Sequence, residues 1–106
     1  MEIYALMMNQ NKIICLIEEK KPEIIQILEK YKGSNLRIFG SYARGEETPE
    51  SDLDLLVDME AGTSLFDRIA LMQELEDLLG VQVDIAKPEN LHHLIREKVM
   101  DEAITL

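Results

Sequence analysis

Between Asn11 and Lys32 apolar residues recur every three or four positions: Ile13, Ile14 and Ile17, then Ile24, Ile25, Ile27 and Leu28. That spacing predicts an amphipathic helix. Pro22 removes a backbone donor, so it divides the stretch into two helices or kinks one. Gly33-Ser34-Asn35 closes the helical pattern, and LRIFG, Leu36 to Gly40, predicts a short strand leading into a Gly-Ser turn. The polar stretch YARGEETPE leaves room for one helical turn before Thr48-Pro49 stops regular structure. SDLDLLVDM, Ser51 to Met59, then alternates as a second strand, ended by Ala61-Gly62.

Ser64 and Asp67 stand in the relation of a capping box at the start of a further helix. Leu65, Ile69, Met72, Leu75, Leu78 and Leu79 form its expected apolar stripe, and Gly80 its C-terminal stop. VQVDIA, Val81 to Ala86, alternates as a third strand, with Val81, Val83 and Ile85 on one face and Gln82 and Asp84 on the other. Pro88 opens a last helix bearing Leu91, Leu94, Ile95 and Val99. The sum is an α/β (α+β) domain: a small mixed sheet of three to four strands with helices packed on one face.

Length and composition sharpen this picture. The 106 residues suit a single domain, 1–106, with residues 1–20 as an N-terminal helical extension. Apolar residues make up 46% and aromatics 5%, so the core is expected to be aliphatic. No apolar run is long enough to span a membrane, and the opening MEIYALMMNQNK is unlike a secretory signal. Cys15 is alone, which excludes an internal disulfide framework and fits the cytoplasm.

The net charge is −10. Five acids balance five lysines up to Lys32, and no cluster of lysine or arginine follows. That distribution argues against direct tracking of nucleic acid. An acidic surface suits a partner with a basic face, and it also serves simple solubility.

Candidate chemistry concentrates in FGSYARGEETPESDLDLLVD, Phe39 to Asp58. Ten residues separate Gly40-Ser41 from Asp52, and Asp54 follows two residues later. Carboxylates two apart on a strand leave the same face, while Leu53, Leu55 and Val57 point into a core. Such a pair repels itself unless a cation neutralises it. A Gly-Ser turn offers backbone N–H groups and a hydroxyl to a phosphate. If the second and third strands are neighbours, Asp84 joins the pair, and three acids can hold two Mg²⁺ ions. The third carboxylate can also accept a proton from an attacking hydroxyl.

These residues carry a resemblance. Gly-Ser, ten residues, Asp-x-Asp and a later strand aspartate resemble the nucleotidyltransferase superfamily that includes DNA polymerase beta. Together with GTSLFDRIALMQELEDLLGVQVDIAKPENL and a final EAI, the stretch is similar to minimal nucleotidyltransferase (MNT) proteins, antitoxins of HEPN ribonuclease toxins. The likeness runs from about Lys21 to the C-terminus.

It implies the polymerase beta-like palm fold, Gly40 and Ser41 on the β- and γ-phosphates, and Asp52, Asp54 and Asp84 as Mg²⁺ ligands, with Asp84 also as base. The implied reaction moves AMP from ATP to a tyrosine hydroxyl of a cognate HEPN toxin, with which the chain would form a hetero-oligomer. Added charge and bulk near a ribonuclease site would oppose RNA binding.

Other residues divide between chemistry and structure. Arg44, three residues beyond the turn, reaches a phosphate or pairs with Glu46 or Glu47. Tyr42 is expected as a partly buried aromatic at a helix start, Ser51 as a loop-ending backbone partner, and Asp58 as strand-end polarity. Lys87 is a phosphate contact or a loop charge, and Cys15 a core residue. His92 and His93, adjacent on a helix, should face different directions on the surface.

Three functions compete: a protein adenylyltransferase antitoxin, a small-molecule nucleotidyltransferase of the aminoglycoside-modifying type, and a non-catalytic antitoxin that covers its toxin. The nucleotide site consumes most of the chain, leaving little to grip an antibiotic. A purely covering protein has no need of three clustered acids.

Overall fold

The computed structural model describes residues 12–106; the rest of the expected N-terminal extension lies outside the described residues. Pro22 acts as anticipated. It occupies the first turn of a second helix, where its missing donor costs nothing, so α1 (Lys12–Glu19) and α2 (Lys21–Lys30) are separate. Then come β1 (Gly33–Phe39), a single helical turn α3 (Ser41–Arg44), β2 (Leu53–Met59), α4 (Leu65–Leu79), β3 (Val83–Ala86), a 3₁₀ turn (Pro88–Asn90), α5 (His93–Glu102) and β4 (Ile104–Thr105).

The sheet is mixed, with spatial order β3-β2-β1-β4. β1 is antiparallel to both β2 and β4, whereas β2 and β3 run parallel, as a crossover through α4 permits. Leu36 and Ile38 of β1, Leu53, Leu55 and Val57 of β2, and Val83 and Ile85 of β3 pack with Ile17, Ile24, Leu28, Leu71, Leu75 and Leu79 from α1, α2 and α4. This aliphatic core lies on one face of the sheet. The other face carries Phe39, Asp54 and Asp84, and also Leu56, which is fully buried but stands apart from the main core. The 3₁₀ turn touches β2 and α5 touches β1, so the second face is partly covered too.

The structure departs from the pattern-based expectations in five elements. β1 begins at Gly33 rather than Leu36, since Gly33 and Ser34 already pair with Met59 and Asp58. Asn35, at φ 52°, sits in a register shift that masks the strand period there. β2 and β3 each begin two residues later than the alternation suggested, at Leu53 and Val83.

In α4 the buried row is Leu71, Leu75 and Leu79, whereas Leu65 (58%) and Ile69 (36%) are exposed beside Phe66 (80%). The last helix starts at His93 after a 3₁₀ turn, and its Leu94 and Ile95 face outward. The local start and stop signals of α4 both hold. Ser64 and Asp67 form a complete capping box, and Gly80 closes the helix in the left-handed conformation.

Candidate active site

Three strands and one turn bring the acids to a common edge. The parallel register sets Asp54 directly opposite Asp84, so both side chains leave the same face of the sheet. Asp52 lies just before β2, at the same parity as Asp54. The antiparallel register sets Phe39 opposite Asp54, and the next residue, Gly40, turns the chain into α3.

That turn presses against the carboxylate. A Cβ built on Gly40 would collide with Asp54 Oδ2 and lie 3.2 Å from its Cγ. Gly40 has φ 73° and ψ −152°, a region essentially reserved for glycine, so the close approach and the turn both require it. Tyr42, buried in the core, anchors α3 from beneath. Ser41 opens this helical turn beside Asp54.

The electrostatics report the same crowding. Asp54 is held above the usual carboxylate range, first by burial and then by the charges of Asp84 and Asp52, with Arg44 acting in the opposite direction. The protein supplies no full compensation for this cluster. Among the described residues, no three His, Cys, Asp or Glu side chains already stand close enough together to hold a metal ion. Even so, the donor set suits a hard divalent cation: carboxylate oxygens on neighbouring strands, one of them bearing like-charge repulsion that Arg44 only partly offsets.

The remaining candidates fall as follows. Arg44 Nε donates to Glu46 Oε1 at 2.6 Å, and its Nη1 lies 3.7 Å from Glu102 Oε2. Glu102 belongs to α5, and no local signal in the sequence linked it to the turn. Its placement follows from β4, which ties the end of the chain to β1. Lys87 pairs with Glu89 at 3.9 Å.

Asp58 points the same way as Asp54 but bonds Asn35 and Arg37, as its reading as structural polarity requires. Ser51 accepts from the Thr48 backbone N–H at 2.8 Å and ends the loop. His92 and His93 do not diverge as expected. His92 caps α5 instead of lying within it, which lets the two exposed rings stack with centroids 4.6 Å apart.

Known proteins show the same arrangement of sequence and fold. Residues 21–106 match the family described as Nucleotidyltransferase domain. A relative from Methanocaldococcus jannaschii, named as a candidate protein adenylyltransferase, is 42% identical over 88 residues, covering 83% of this chain and 95% of the relative. A solved structure of a candidate minimal nucleotidyltransferase superposes with TM-score 0.75 at 41% identity, covering 85% of this chain and 92% of the other. The toxin–antitoxin crystal structure MntA-HpeT, carrying a tyrosine-to-alanine substitution, contains a chain that superposes with TM-score 0.64 at 26% identity. That likeness covers 81% of this chain and 70% of that one.

Proposed function

The chain belongs to the nucleotidyltransferase domain family, and from that premise we propose that it moves AMP from ATP to a tyrosine hydroxyl of a cognate HEPN toxin, acting as its antitoxin. The observation that carries this reading is the register: Asp54 faces Asp84 across parallel strands while Gly40 abuts Asp54. The protein-adenylyltransferase name of the archaeal relative supports the protein substrate, and the toxin–antitoxin neighbour supports the partner.

In this reading Asp52, Asp54 and Asp84 would hold Mg²⁺, which when bound neutralises phosphate charge and makes the acceptor hydroxyl more acidic. The Gly40-Ser41 turn receives the β- and γ-phosphates, because only a residue without Cβ lets backbone and phosphate approach Asp54 so closely. Asp84, on the exposed polar side of β3, stands ready to take the proton of the attacking hydroxyl. The bond between the α-phosphorus and the pyrophosphate oxygen breaks as the hydroxyl oxygen bonds to phosphorus. Such an in-line exchange depends on positioning and electrostatics rather than on a protein nucleophile. Arg44 releases Glu46 to contact phosphate, since the triphosphate offers a larger negative charge than one exposed carboxylate.

The test uses a HEPN protein encoded beside this chain as the candidate toxin, with ATP labelled at the α- or the γ-phosphate. Label is expected on the toxin from the α-position only, and the double variant Asp52→Ala, Asp54→Ala is expected to lose it while remaining folded. Label that persists in the double variant removes both residues from the mechanism. Neutralisation of the toxin without any label in the wild type favours a covering antitoxin.

A further inference from the structure

A cavity of about 450 Å³ opens beside Asp52, between the Pro49–Asp52 segment and the Gly80–Gln82 turn, with Tyr42 on one wall. Neither Gly40, Ser41 nor Asp54 borders it. Resting on the proposed AMP transfer, we infer that this cavity seats the aromatic side chain bearing the acceptor hydroxyl.

In-line displacement places the attacking oxygen opposite the leaving pyrophosphate. The turn proposed for the pyrophosphate abuts Asp54. Asp52 lies two residues upstream, about 6–7 Å along an extended chain, and it borders the cavity together with Pro49 and Gln82. An acceptor seated in this cavity meets the carboxylates at Asp52, without passing Gly40, Ser41 or Asp54.

The lining matches the chemistry of a phenol. Tyr42, Pro49 and Val81 offer apolar surface to a ring, while Ser51, Gln82 and Asp52 offer polar groups to a hydroxyl. The step balances without a further reactant. The phenol oxygen bonds to the α-phosphorus, pyrophosphate departs with the electron pair of the broken bond, and the phenol proton passes to a site carboxylate.

The test is nitrogen-15 NMR titration of the full chain with N-acetyl-tyrosinamide, with Mg-ATP titrated separately. Saturable shifts are expected at the amides of Glu50, Ser51, Asp52, Gly80, Val81 and Gln82. Gln82→Trp should weaken the tyrosine probe by about tenfold, on the order of 1.4 kcal/mol, and leave Mg-ATP binding unchanged. The Gln82 side chain is exposed, and its carbonyl, which accepts from Leu53 N–H at 2.8 Å, is untouched by the substitution. Glu50→Trp fills the opposite wall from another exposed position and should act alike.

Absence of saturable shifts, or a stronger response of these amides to adenosine than to the tyrosine probe, would overturn the inference. Failure of Mg-ATP to bind the wild type would instead defeat the transferase reading itself.

Discussion

Replacing Gly40 with alanine separates the geometry of the site from the stability of the fold. Gly40 lies at φ 73°, ψ −152°, and a residue with a side chain held there costs about 1–3 kcal/mol. The new methyl overlaps Asp54 Oδ2 and sits 3.2 Å from Cγ and 3.3 Å from Cβ of the same side chain. The overlapping atom ends a rotatable carboxylate, so the clash is relieved by turning Asp54 aside rather than by parting the strands. Misplacing a reacting group by about 1 Å costs on the order of 10²-fold in rate.

Gly40→Ala is therefore expected to lose about 1–3 kcal/mol in urea unfolding and about 100-fold in AMP transfer. Gly45→Ala supplies the control. Gly45 is also left-handed, at φ 71°, ψ 25°, but a Cβ there meets nothing within 4 Å. It should cost about 1–2 kcal/mol and leave transfer unchanged. Stability is read by circular dichroism in urea, and transfer by initial rates of α-phosphate label under conditions where both variants are folded. Equal transfer rates in the two variants would refute the argument that the turn fixes the carboxylate.

Leu71 is fully buried beneath the sheet; Leu71→Ala should cost about 2–5 kcal/mol in urea unfolding, and a loss below that range would mean the core relaxes there. Ser64→Ala removes one half of the α4 capping box; the expected cost is about 1 kcal/mol, with transfer unaffected because the cap lies at the far end of β2. Asp54 is raised above its ordinary value of 3.8, so its contribution to stability is present below that value and lost as pH rises through the folded-state pKa. Asp54→Asn should therefore raise the melting temperature at neutral pH without divalent cation, with the gain shrinking toward acid. A lower melting temperature at neutral pH would contradict the repulsion described at the site.

The parts of the fold legible from pattern are those where one local signal decides. Pro22 separates two helices, Ser64 and Asp67 cap a third, and Leu53, Leu55 and Val57 declare a core-facing strand. The parts that escaped depend on tertiary partners. Register slips at Asn35, so Gly33 and Ser34 look like a turn while they pair with β2. β4 has two residues, too few to show a period, and exists because β1 offers it a free edge. Leu65 and Ile69 keep helical spacing but lie beyond the sheet that buries Leu71, Leu75 and Leu79.

At the site, the spacing of Gly40, Asp52 and Asp54 is visible within one segment. The proximity of Asp84 required only that β2 and β3 be neighbours. The ion pair of Arg44 with Glu102 could not be read, because nothing local links the turn to the last helix.

Two aspartates on one strand show how the fold treats a charge it can satisfy and one it cannot. Asp54 and Asp58 share β2 and the same face. Asp58 accepts from Asn35 Nδ2 at 2.8 Å and from Arg37 Nη2 at 2.9 Å, and these partners hold it below the usual carboxylate range. Asp54 has burial and two more carboxylates as its surroundings, and it is pushed the other way. A sheet that can bring an arginine of β1 to one acid could have done so for the other.

At the partner position of Asp54, however, the chain puts Asp84 on one side and a glycine turn beyond Phe39 on the other. Each choice adds negative charge or removes bulk where neutralisation would otherwise come from the protein. On the proposed reading, the missing positive charge is that of the magnesium ions which accompany the triphosphate. The free energy that like-charge crowding at Asp54 costs the fold then becomes a preference for binding the cation and its substrate.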